Sequence, residues 1–152
     1  MNSLHDSLSR LEAKAATLGL AHIAEAPAAD DEMSGVLPPD LNGEEVVSLW
    51  RLHRSAKLMY EPTYGQWGLQ LLTPAAASER TELERSIRPD EFGSYDFVLG
   101  EFIGDLDVLI VTNGGILVAP PIYPRSDWYR VGSSLAEFLD MFAVAEGQKF
   151  WE

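Results

Sequence analysis

The chain has 152 residues, with 24 Asp and Glu against 11 Lys and Arg, a formal net charge of −13 and no cysteine. A hydrophobic share of 46% over this length suits one folded domain with its own core. The acidic balance disfavours a binder of nucleic acid or anionic membranes, since both demand Lys and Arg opposite phosphates. The lack of cysteine excludes a disulfide framework, a thiolate nucleophile and a Cys-ligated metal site.

The first helix is expected over Asn2–Leu20, where Leu4, Leu8, Leu11, Ala15 and Leu18 recur at helical spacing, Ser3-x-x-Asp6 resembles a capping box and Gly19 marks the stop. Ala21–Gly35 is rich in Ala, acid and Pro and reads as a mobile linker, so residues 1–35 are set apart from a core domain over 36–152. Pro38 and Pro39 enforce an extended entry to a second helix. Asn42 is its expected N-cap, Glu44 and Glu45 fill its first turn, and Val46, Leu49, Trp50 and His53 share one face. Lys57–Tyr60 and Gln66–Leu72 read as paired strands joined through Glu61–Gly65. Pro74 opens a charged surface helix over Ala75–Ile87, which Pro89 ends.

The C-terminal half is the clearest stretch. Phe97–Ile103 and Asp107–Thr112 are apolar runs split by Gly104-Asp105, and Asn113-Gly114 predicts a tight hairpin with positive φ at both turn residues before Ile116–Ala119. Trp128–Gly132 forms a last strand. Ser134-x-x-Glu137 then caps a helix whose Leu135, Phe138, Leu139 and Phe142 make its buried stripe. The sum is an α+β domain, a mostly antiparallel sheet with helices to one side.

Nothing in this pattern amounts to an active centre. His5, His22 and His53 are scattered, with no zinc spacing. Ser133 and Ser134 lack a nucleophile elbow, and Gly114-Gly115 is followed by a strand rather than the helix of a phosphate loop, so no cofactor is expected. Asp105 and Asp107 are a remote candidate for a small hydrolase, because paired carboxylates can share acid–base work or hold a hard cation, but no cation or His stands near them in sequence. Missing too is an apolar run of about 20 residues to span a bilayer. Met1–Asp6 does not resemble a signal peptide, and a cytoplasmic protein is expected.

The charge is uneven. Between Pro89 and Pro124 stand Asp90, Glu91, Asp96, Glu101, Asp105 and Asp107, with no Lys or Arg. Such a face solvates the protein, and it also steers a basic partner. Tyr64, in a loop, and Tyr95 are the aromatics best placed to join it, since Tyr is a favoured hot-spot residue.

From Leu37-Pro38 through Trp67–Leu72 and Phe102-Ile103-Gly104-Asp105, then Leu109–Val111, Asn113–Val118 and Val131–Leu139, the order of elements resembles the SUKH superfamily. That superfamily is named for yeast cell-wall regulators and is widespread as bacterial immunity proteins. Leu52–Ala56 departs from the aromatic and Asn-Gly that the family shows after its first core helix, and the N-terminal helix lies outside the pattern. The resemblance implies a non-catalytic protein-binding domain that neutralises a cognate toxin, or a regulatory module of the same fold. The surface expected to serve it is Tyr64, Asp90, Glu91, Tyr95, Asp96, Glu101, Asp105 and Asp107, facing a basic partner.

Overall fold

Seven strands follow one another in chain order across a single antiparallel sheet in the computed structural model, which describes residues 3–152. They are β1 (Ala21–Ala24), β2 (Ala56–Tyr60), β3 (Gly68–Leu71), β4 (Phe97–Ile103), β5 (Val108–Thr112), β6 (Gly115–Ala119) and β7 (Tyr129–Gly132). The helices are α1 (Leu4–Thr17), α2 (Asp30–Met33), α3 (Glu44–Leu52), α4 (Pro74–Ile87) and α5 (Leu135–Val144). The α+β class and the antiparallel sheet flanked by helices are as the sequence indicates. Asn2, counted into the first helix, lies outside the described residues.

The expected linker is structured. Ala21–Ala24 pairs with β2 in the register Ala24↔Ala56 and Ile23↔Lys57, and Asp30–Met33 forms a helical turn. Nor does α1 stand apart, because Leu4, Leu8, Leu11 and Ala15 are buried in the same core as the sheet. A division at residue 35 therefore has no counterpart in the packing. Ser3 does cap α1, its hydroxyl accepting from the Asp6 N–H at 3.0 Å.

Helices cover both faces of the sheet, not one. Phe102 meets Phe142 of α5 edge-on at 6.4 Å, whereas the next residue back, Glu101, reaches Arg80 of α4 at 3.4 Å. Neighbouring strand residues point to opposite faces, so α5 and α4 lie on opposite sides. With both faces covered, all five residues of β5 are buried. Trp50 of α3 packs edge-on against Phe97 of β4 and donates to the Leu72 carbonyl at 3.1 Å.

Two local expectations change. Gly43, rather than Asn42, is the N-cap of α3, while the Asn42 side chain accepts from Glu44 N–H at 3.4 Å. The β5–β6 turn does consist of Asn113-Gly114, with Thr112 paired to Gly115, but neither turn residue has positive φ. Gly115 takes it instead, at 135°, and a Cβ there would lie 2.6 Å from the Gly132 carbonyl. Asn113 is needed for another reason. Its side chain accepts from Asn42 N–H at 2.8 Å and donates to the Asp40 carbonyl at 2.9 Å, pinning the entry to α3.

Candidate partner-binding surface

Registers within the sheet decide which loops meet. Gly68 pairs with Ile103, so the β2–β3 turn and the β4–β5 turn emerge at the same end. They touch there: Gly104 has φ of 97° and so little room that a Cβ would lie 2.1 Å from the Gln66 carbonyl oxygen. The tail after α5 closes over the same end, with Phe150 and Trp151 packed on Phe138 and Trp151 also on Phe102.

Tyr64 projects from the β2–β3 turn and is 79% exposed. Glu61 builds that turn by accepting the N–H groups of Thr63, Tyr64 and Gln66 at 3.0–3.3 Å. Partial burial pushes the Glu61 carboxyl upward, but these donors outweigh it and hold the pKa below the usual carboxylate range. Trp67 follows, partly exposed, and Leu106 caps the neighbouring turn with most of its side chain in solvent.

Asp105 and Asp107 meet a cation that sequence proximity did not reveal. Lys149, from the C-terminal tail, donates to both carboxylates, at 2.9 Å to Asp107, and Asp105 also accepts the Asp107 N–H at 2.9 Å. Desolvation lowers the Lys149 pKa, but the two carboxylates outweigh it and leave it raised. Asp107 is largely buried by this arrangement, and Asp105 remains exposed. Trp67, Phe102, Phe142, Asp105, Lys149 and Glu152 line a cleft of about 500 Å³ beside the pair. Among the described residues, no three His, Asp or Glu side chains group as metal ligands.

The rest of the expected acidic face lies elsewhere and is mostly engaged. Asp96 is fully buried, accepts two bonds from the Arg125 guanidinium and takes the Gly93 N–H at 2.6 Å. Asp96 is also the leading reason that the Arg125 pKa is raised. Glu91 accepts the Arg125 N–H at 2.6 Å, and its carbonyl accepts from the guanidinium at 3.0 Å. Glu101 pairs with Arg80. Asp90 and Tyr95 are exposed near this second group. The acidic stretch without Lys or Arg is thus met in space by Arg80, Arg125 and Lys149, all from outside it.

Tyr64 and the Asp105–Asp107 pair therefore come together at one end of the sheet, while Asp90, Glu91, Tyr95 and Asp96 form another cluster. No family model matches the chain, and none of the curated proteins matches it. Missing from the sequence expectation are Glu61, Leu106, Lys149 and Glu152, which belong to the first end. The compact Lys149-Phe150-Trp151 tail is a local signal that could have pointed there, since bulky and charged residues after a helix stop invite packing. Strain marks the same region: Met59, buried in β2, has φ of 49° and Glu146 has φ of 58°.

A second, polar hollow of about 370 Å³ lies by the N-terminus of α5, lined in part by Asn42, Glu44, Glu45, Ser48 and Thr112. Its chemistry is largely structural. Glu45 accepts the N–H groups of Leu135 and Ala136 at 2.5 and 2.9 Å, Ser134 caps Glu137 at 3.1 Å, and Glu137 holds Ser133. The hydroxyl and backbone N–H of Ser133 lower the Glu137 pKa.

Proposed function

We propose that this chain is a non-catalytic protein-binding domain that receives a basic partner, and that it acts as an immunity protein neutralising a cognate toxin. The observation that carries the first part is the sheet end just described. Exposed aromatic and apolar side chains, Tyr64, Trp67 and Leu106, stand there beside the carboxylates of Glu61 and Glu152 and the Lys149-paired Asp105, on a protein of net charge −13. Aromatic anchors inside a charged rim are the composition of protein interfaces, and acidic potential speeds encounter with a basic surface. The second part rests on the resemblance of element order to SUKH immunity proteins, of which the antiparallel α+β architecture is the coarse feature the structure shares.

The chemistry at Asp105 and Asp107 supports the same reading over hydrolysis. Both carboxylates are tied up by Lys149, and Asp105 also closes the turn, so neither is poised to take a proton from water.

The test is co-expression with the products of neighbouring genes, followed by native mass spectrometry and a growth assay. The proposal expects a one-to-one complex with a basic protein whose toxicity the chain suppresses. A complex with a non-toxic cellular protein would replace immunity by regulation, and turnover abolished by Asp105→Asn would replace binding by catalysis.

A further inference from the structure

Alongside the 500 Å³ cleft run two further depressions. One of about 400 Å³ is lined by Leu18, Leu20, Trp67, Val144 and Glu146, and one of about 330 Å³ by Met141, Val144 and Phe150 among others. The first shares Trp67 and Gln148 with the cleft, and the two share Val144 and Ala145, so the three form one groove. It passes over the end of α1, beside the β2–β3 turn and along the outer edge of α5. Val144 is 83% exposed within it, with Met141, Leu18 and Trp67 also open to solvent. α5 therefore carries a second apolar edge that its own packing does not use, for Phe138 and Phe142 already fill the inward one.

We propose that this groove is the docking site for a cationic amphipathic helix of the partner, an inference that rests on the protein-binding reading above. Charge selects the sign of the occupant. Glu146 and Glu152 border the groove, Asp105 there is already paired to Lys149, and the whole chain is at −13, so a second copy of this protein, a nucleic acid or an anionic lipid surface would bring like charge to it. The tail displays the accepted chemistry: Lys149 sits on Asp105 and Asp107 at the rim, and Phe150 and Trp151 after it seat on aromatic rings. Backbone geometry selects the helix. β1 and β7 are the edges of the sheet, and neither lines the groove, so it offers no row of unpaired N–H and C=O groups to an extended strand. What remains is side-chain packing along a furrow, the mode by which amphipathic helices are read at i, i+3 or i+4 and i+7. Met141 and the Trp67 ring supply adaptable and anchoring contacts respectively.

The test uses the full chain and a labelled synthetic 14-residue peptide of Leu and Lys in helical amphipathic order. A scrambled peptide of the same composition is the control, with both followed by fluorescence anisotropy at physiological salt. The amphipathic peptide is expected to bind at least about tenfold more tightly than the scramble, since one lost apolar anchor of about 1.4 kcal/mol already gives that factor. Its affinity should fall at least about tenfold in the double variant Met141→Asn, Val144→Asn, whose positions are exposed and whose fold circular dichroism verifies. Equal binding of the two peptides, or an unaltered affinity in the double variant, overturns the groove. A natural basic partner that binds the double variant as tightly as wild type would sink the groove and leave the protein-binding reading standing. Recovery of no basic partner at all would sink that reading itself.

Discussion

Asp96 shows how one residue changes meaning between sequence and structure. As the third of six acids in a stretch without Lys or Arg it belongs to a solvated face; in the fold it has no exposure and binds Arg125 and the Gly93 N–H. Nothing local could reveal this, since its cation comes from 29 residues away. Replacing Asp96 with Ala should leave a buried N–H and the inner part of Arg125 unpaired and cost about 3 kcal/mol in urea unfolding, while leaving partner affinity within about twofold. Glu61 carries a pH prediction. Its folded pKa lies below the unfolded carboxylate value of about 4.3. The stability it gives the turn is therefore present above that value and lost as pH falls through the folded one. The protection of the Tyr64 and Gln66 amides, taken relative to the intrinsic exchange rate at each pH, should fall below about pH 4, and Glu61→Gln should show the same low protection at pH 7 with no further acid response. Slow exchange at pH 7 in that variant would show that the turn does not need the carboxylate.

At the scale of elements, what the sequence made legible were segments whose own pattern is strong. β4 is matched residue for residue at Phe97–Ile103, and α5 follows from its capping Ser134 and the Leu135, Phe138, Leu139, Phe142 stripe. α4 begins at Pro74 as read, with Thr73 capping Ala76 N–H at 3.2 Å. β1 was missed because Ala-His-Ile-Ala has little strand character of its own. Its pairing to β2 and the end of α1 above it decide the matter, and both are tertiary. The standing of α1 can be measured. Leu11 is fully buried, so Leu11→Ala should cost about 3 kcal/mol of global stability rather than loosen one helix alone. A single cooperative urea transition shifted in midpoint is the expected result; an unshifted main transition preceded by a separate early loss of helix would show that α1 is an appendage after all. Asn113→Ala, which removes both bonds to residues 40 and 42, should cost about 1–2 kcal/mol and unpin the entry to α3.

Over the whole molecule, charge and apolar exposure play separate parts. In the proposed complex, the net charge of −13 would act at long range and set how fast a basic partner arrives, and Tyr64, Trp67 and the α5 edge would act at contact and set how long it stays. Association should therefore slow by roughly tenfold or more as salt rises from 20 to 300 mM, with dissociation nearly constant, because the Debye length shrinks below the reach of the acidic field. Tyr64→Ala should do the reverse, raising the dissociation rate and sparing the association rate. For the proposed complex, the sequence supplies the expected sign of the partner and one expected anchor, Tyr64. It could not disclose which carboxylates remain available, because Lys149, Arg125 and Arg80 settle that from distant positions in the chain.

The measurement that bears most directly on the central claim is a hydrogen-exchange footprint of the complex with the basic protein that co-purifies from its gene neighbourhood. Protection is predicted over the 61–67 turn, the 104–107 turn and residues 141–152, with residues 88–96 unchanged. Protection confined to 88–96 and 120–128, or no basic protein held by the chain at all, would contradict the assignment of this sheet end as the binding surface.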